Sequence, residues 1–263
     1  MMRDKIQGAV RVLLEEHYWR SRANADARKV ADVLVELLQE VTLDIRSENE
    51  WSPEEPESLI RFVKVEDPFI NDDLYQITQG LGGQQGFWEF VEEGKFQDLS
   101  RAAYDQILSH GWLYDFERGS PDYTRQVVRT PEEMFRDQKG CCLDFACLFA
   151  AILENMQAYP LIIRVSGNRF AHAIAGCWQE HPGGRPIILD SEFIRNAVRR
   201  KEMLIFETTG AARANAPVAR ESREWRQEGK GFLSFDQAVE TARNLLLSQD
   251  VVVDFLIDVL AAR

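Results

Sequence analysis

The sequence predicts an α+β fold, and three observations predict it. After Gly140 a segment reading CCLDFACLFAAILE is apolar at nearly every helical position, which describes a helix buried almost all round. Two β-rich runs follow, Leu161 to Val165 and Ala171 to Trp178, separated by turn residues at Ser166, Gly167 and Asn168, so they form an antiparallel hairpin. Amphipathic helical patterns flank this pair on both sides. The expected core is therefore a buried helix packed on an antiparallel sheet, with additional helices at the N-terminus.

Residues 4–18 and 26–41 carry apolar residues at helical spacing, with Ile6, Val10, Leu13 and Leu14 in the first and Val30, Val33, Leu34 and Leu37 in the second. They predict a helical hairpin. Composition turns polar around Ser47 to Pro56, where Trp51-Ser52-Pro53 reads as a helix start, so the chain divides into an appendage, 1–48, and a main domain, 49–263. Short helices are expected over 57–64 and 84–93, and a clearer one over 97–109. Thr130-Pro131-Glu132-Glu133 combines a capping hydroxyl, proline at the first helical position and a glutamate three residues on, and opens a helix expected to run to Gly140. Beyond the hairpin, 186–189 is a short strand, 191–200 a surface helix and 203–208 a further strand. Residues 210–231 show no periodicity and read as a mobile loop. An amphipathic helix over 234–248 and an apolar segment, 251–260, complete the pattern.

With 263 residues and 45% hydrophobic content, the chain buries a substantial core. Its formal charge of −12 opposes binding to phosphate backbones, and no run of Lys or Arg interrupts that pattern, so nucleic acid is not an expected partner. Residues 51–100 hold eleven Asp or Glu against three Lys or Arg, a solvated surface that doubles as a candidate protein-docking region alongside the N-terminal helices. The first residues have acidic side chains within their apolar pattern, and no later stretch has the length and apolarity of a membrane span, so a cytoplasmic, membrane-free protein is expected. Cys141, Cys142 and Cys147 crowd into seven residues where mutual disulfides are geometrically improbable, which fits a reducing compartment. Paired CxxC spacing is missing and His17, His110, His172 and His181 are scattered, so neither a metal nor another cofactor is expected.

The chemistry concentrates at the start of the buried helix. A helix's first turn carries N–H groups without intrahelical partners and the positive end of the dipole, both of which favour a thiolate over a thiol. Cys142 falls in that field. A buried cysteine is ordinarily a small core hydrophobe, but His172, thirty residues later on the second hairpin strand, is able to return beside the helix start and take the thiol proton. Two acids compete to orient that histidine. Glu207 lies within the apolar run Leu204-Ile205-Phe206-Glu207, where an unpaired carboxylate is costly, and is preferred. Asp190 is the alternative, although its place before a predicted helix also suits an N-cap.

The segments RTPEEMFRDQKGCCLDFACLFAAILE, HAIAGCW and FETTG resemble the transglutaminase-like superfamily of papain-type thiol enzymes, with its GxCxD, His-Ala and acid-x-Thr patterns. They are most similar to intracellular bacterial transglutaminase-like domains with QxxRTP before GxCLDxA. The resemblance runs from about Tyr114 into the C-terminal segment and leaves out residues 1–50. It implies a papain/transglutaminase-like core with Cys142 as nucleophile, His172 as base and Glu207 as the third member. It also implies that Cys141 is a bystander, that Asp144 is structural, and that Gln126, the Gln of QxxRTP, is a cleft or oxyanion group. This chain departs from the pattern in lacking a glycine directly before His172 and in having Glu where Asp is commoner. The implied activity is cysteine-dependent acyl transfer on amide bonds of a protein or peptide through a thioester, as a protease or amidase. The alternatives are a protein-glutamine transglutaminase with an amine acceptor, and a noncatalytic protein-binding module on the same fold.

Overall fold

The chain divides into two compact units, Met1–Asn49 and Glu50–Arg263. The structure, a computed structural model, describes residues 49–115, 118–119, 125–167, 170–180, 184–214 and 232–263. The predicted hairpin of helices 4–18 and 26–41 lies outside the described residues.

The second unit opens with β1 (Glu50–Trp51) and a 3-10 helix, Pro56–Phe62. The expected helix start at Trp51-Ser52-Pro53 is corrected here. Trp51 pairs in a strand and is fully buried, and the helical turn begins later, at Pro56. Helices α1 (Pro68–Gly80), α2 (Gly83–Glu92) and α3 (Phe96–Ser109) follow. The sequence reading overlooked α1, despite a legible signal: Asp67 caps it by accepting the Phe69 N–H at 3.0 Å, and Pro68 occupies its first turn. Next come the two-residue strands β2 (Leu113–Tyr114), β3 (Arg118–Gly119) and β4 (Gln126–Val127), then α4 (Pro131–Asp137), β5 (Lys139–Gly140) and α5 (Cys142–Asn155). The hairpin is β6 (Tyr159–Gly167) and β7 (Phe170–Trp178), followed by β8 (Ile187–Ile188), α6 (Ser191–Arg199) and β9 (Met203–Phe206). After a 3-10 turn, Thr208–Ala211, come β10 (Arg213–Ala214), α7 (Phe235–Leu247) and β11 (Val252–Asp258).

The architecture is α+β. Five strands form an antiparallel sheet in the order β8-β11-β6-β7-β9, so the last strand of the chain is inserted beside the hairpin. Alternation along the strands gives the sheet two apolar faces. Ile162, Ala173, Ala175 and Phe206 join the core around α5, whereas Ile163, Ile174 and Ile205 pack with Ile194 and Val198 of α6 and Leu246 of α7. All residues of α5 from Cys142 to Leu153 are buried. An aromatic cluster binds the α5 side together: Phe206 of β9 meets Phe149 of α5 at 5.1 Å, Tyr104 of α3 at 5.9 Å and Phe235 of α7 at 5.7 Å between ring centroids. Among the described residues no helix is long and apolar enough to cross a membrane.

The helix expected to run to Gly140 stops at Asp137. Gln138 adopts a left-handed conformation, φ 52°, and Lys139–Gly140 then pairs in parallel with Leu113–Tyr114. The capping box at Thr130 forms as predicted, with the Glu133 N–H donating to Thr130 Oγ1 at 3.3 Å and the Thr130 N–H to Glu133 Oε2 at 3.1 Å. Gly140 meets a steric requirement, because a Cβ there would lie 2.7 Å from Met134 Cε and 3.3 Å from Phe145 Cε2. The mobile loop expected over 210–231 begins instead with the 3-10 turn and β10, where Arg213–Ala214 pairs with Leu113–Tyr114; residues 215–231 lie outside the described set.

One buried ion pair fixes where α5 begins. Asp144, wholly inaccessible, accepts the Cys141 N–H and an Arg129 guanidinium N–H on Oδ2, both at 2.8 Å, and the Arg129 backbone N–H on Oδ1, also at 2.8 Å. Arg129 in turn bonds Asp115 at 3.0 Å. Removing one member of a buried pair strands the other charge. Asp144→Ala is expected to lower the unfolding free energy by about 3–5 kcal/mol, and Asp144→Asn by less, both read from urea denaturation; equal stability of wild type and Asp144→Ala would contradict this role.

Candidate active site

The site is built where α5, β7 and the turn after β9 converge. Cys141 occupies the N-cap position and Cys142 is the first residue of α5. That puts the Cys142 side chain at the positive end of the helix dipole, where N–H groups lack intrahelical acceptors. The hydroxyl of Thr208 lies 3.3 Å from the carbonyl oxygens of both Cys142 and Ala173, donating towards each. A single side chain thus binds the start of the cysteine helix to the residue following His172.

His172 and Glu207 form a direct pair, with Nε2 2.6 Å from Oε2 and side chains only 15% and 8% exposed. The strand expected to contain Glu207 ends one residue earlier, at Phe206. Glu207 instead caps the 3-10 turn, its Oε1 accepting the Thr209 N–H at 2.8 Å and the Thr209 hydroxyl at 2.6 Å. The acid-x-Thr pattern acquires a physical meaning here: the threonine satisfies the carboxylate oxygen that the histidine does not use. Burial pushes the Glu207 carboxyl up, but the His172 charge and the hydrogen bonds from His172 and Thr209 together outweigh it and hold the group below the usual glutamate range.

Asp190 is not part of this arrangement. It is exposed and caps α6, accepting the Glu192 and Phe193 N–H groups at 3.0 Å each. Gln126, on β4, donates from Nε2 towards Cys141 Sγ at 3.7 Å, a long contact typical of sulfur, and lines a small cleft together with Trp51, Leu143, Arg164, Ala171 and His172. Trp51 and Gln126 are directly opposed partners in the β1–β4 ladder. The Trp51 indole N–H is buried and has no acceptor among the described residues, an arrangement that costs about 1–3 kcal/mol when left unmet.

The remaining cysteines are distinguished by their surroundings. Burial raises the Cys147 thiol well above its ordinary range, with Asp144 adding to the effect, and raises Cys177 to about 12 against the smaller opposing influence of a Ser100 contact at 3.5 Å. Both remain neutral thiols at physiological pH. Among the described residues no cluster of three or more His, Cys, Asp or Glu side chains has the arrangement to hold a metal ion.

Sequence reasoning overlooked Trp51, Arg129, Arg164 and Thr208. Arg129 had a signal, since it is the Arg of QxxRTP. Trp51 and Arg164 had none, because their roles follow from strand pairings that bring distant segments to one cleft.

A carboxylate whose folded pKa is depressed stabilises the fold above its unfolded-state value, about 4.3 for glutamate, and that contribution is lost as pH falls through the lower folded value. Glu207→Gln is therefore expected to be less stable than wild type at neutral pH, with the gap closing as pH drops below about 4. Thermal unfolding of both proteins between pH 3 and 7 checks this; a gap that is constant or widens on acidification would contradict the pairing.

Residues 88–178 match the family model described as a transglutaminase-like domain. The match begins upstream of Tyr114, where the motif resemblance started, and ends at Trp178, so it includes Cys142 and His172 but not Glu207. Neither the curated proteins nor the solved structures yield a match. The similarity to a transglutaminase-like domain is thus a similarity of residues 88–178 within a chain of 263 residues.

Proposed function

We propose that the protein is a cysteine-dependent acyl-transfer enzyme that acts on amide bonds of a peptide or protein, with Cys142 as nucleophile, His172 as general base and acid, and Glu207 as the group that orients and charges the histidine. The observation that carries this reading is the buried His172–Glu207 pair, bound through Thr208 to the backbone at the start of the Cys142 helix. A papain/transglutaminase-like core is part of the same proposal. Glu207 engages Nε2 of the ring, so Nδ1 is the nitrogen assigned to the thiol proton, and Glu207 fixes the ring in that tautomer.

In the first half-reaction the Cys142 thiolate attacks the amide carbonyl carbon. The carbonyl π electrons move to oxygen, and the resulting oxyanion is held by N–H groups at the helix start, with Gln126 as an additional donor. Collapse breaks the C–N bond as the imidazolium protonates the departing amine, leaving a thioester and neutral His172. In the second half-reaction the histidine removes a proton from water, the oxygen attacks the thioester, and Cys142 leaves as thiolate with His172 again charged. An amine replacing water would give transamidation by the same steps. Hydrolysis as a protease or amidase is the proposed outcome, in keeping with the peptidase-like character expected of bacterial members of this superfamily.

Release of acyl product from a peptide library, with and without an added amine, tests the reading. Cys142→Ala is expected to abolish turnover, and Glu207→Gln to reduce kcat by about 100-fold or more; turnover undiminished in Cys142→Ala would overturn it. Alkylation by iodoacetamide at mildly acidic pH, mapped by mass spectrometry, is expected to mark Cys142 ahead of Cys147 and Cys177 and to lose that selectivity in His172→Ala. Slow, equal labelling of all cysteines would instead favour a noncatalytic binding module.

A further inference from the structure

Two residues of the cleft take no part in the thiol chemistry. Trp51 is 1% exposed, enters from β1 and packs edge-on against Phe255 at 6.0 Å between ring centroids. Its indole N–H has no acceptor among the described residues, although a buried tryptophan nitrogen ordinarily has one. Arg164 enters from β6, directly opposite Ala173 and so one position along the ladder from His172. Its Nη1 pairs with Asp254, and the other oxygen of Asp254 accepts the Ser166 hydroxyl at 2.6 Å. Asp254 is thereby held on two sides and fixes the direction of the guanidinium. A guanidinium carries five N–H donors in a rigid fork, so one ion pair does not exhaust it.

Both side chains offer donors and neither offers an acceptor. A ligand that satisfies them must supply acceptor oxygens, and a guanidinium selects a planar, negatively charged group over a neutral one. The chain as a whole carries a formal charge of −12, so an anionic substrate group needs a local cation to approach at all. We infer that Trp51 and Arg164 form a carboxylate-recognising subsite of the His172 cleft, which selects acyl donors bearing an acidic side chain next to the scissile amide. The inference rests on the acyl-transfer reading above and names its substrate class.

Binding and turnover separate the two. The probes are N-acetylated hexapeptide amides with a central glutamine, in pairs that differ only by Glu or Gln at the residue on either side of it. Calorimetry on full-length Cys142→Ala protein is expected to show at least tenfold tighter binding of one Glu peptide than of its Gln partner, with the preference shrinking as salt is raised. Arg164→Gln in the same background erases the preference, Arg164→Lys retains part of it, and Trp51→Phe reduces it while keeping the ring; thermal unfolding identifies any variant that fails to fold, and the lysine variant then carries the test. Equal affinity within both pairs, or no measurable binding of any of the peptides, overturns the subsite. A clear Glu preference in binding without turnover by the wild-type protein leaves the subsite standing and removes the acyl-transfer reading. Turnover of Glu and Gln peptides at equal kcat/KM does the reverse.

Discussion

The carboxylate of Asp144 is the constraint on which the site geometry depends. It lies in the first turn of a helix that is apolar on nearly every side, and it accepts hydrogen bonds from Cys141 at the helix N-cap and from both the backbone and the side chain of Arg129. A charge buried to this depth is tolerable only when its lone pairs are satisfied and a counter-charge is present. The arrangement therefore admits one register: the segment before α4 must lie against the start of α5. That sets the position at which the helix begins, and hence which thiol stands at the positive end of its dipole.

Around this anchor, the rest of the site is assembled from short polar links between apolar elements. Phe206 is fixed by the aromatic cluster it shares with Tyr104, Phe149 and Phe235, and Glu207 follows it immediately. The next two residues divide the work. Thr208 bridges the backbones of Cys142 and Ala173, while Thr209 occupies the Glu207 oxygen turned away from His172. Apolar packing thus supplies rigidity, and the hydrogen bonds supply direction, so that the histidine ring, the carboxylate and the helix terminus are held without dependence on a flexible loop.

Much of this was legible in the sequence where the signal was local. The periodicity after Gly140 marked the buried helix, Thr130-Pro131 marked a helix start with its capping box, and β-branched residues marked the hairpin strands. The family pattern drew attention to His172 and Glu207, which the fold brings to within 2.6 Å of each other. Errors occurred where a local signal met a nonlocal partner. The polar residues after Trp51 imitate a helix start, yet Trp51 is drawn into a strand by pairing with Gln126, 75 residues further along. The helix from Pro131 has no strong stop before Gly140, yet Gln138 ends it so that Lys139 and Gly140 can pair with β2.

The sequence by itself determined the α+β class, the buried cysteine helix, and the residues competing to form the site, because periodicity, capping and turn chemistry act over a few residues. It left Asp190 and Glu207 as rivals for the acid beside His172. Tertiary structure decided between them, since Asp190 is consumed in capping α6 and is exposed, whereas Glu207 is buried beside the imidazole. Tertiary structure also brought Trp51, Gln126 and Arg164 to one cleft. Their proximity depends on strand pairing across long stretches of chain, and no pattern within any one segment encodes it.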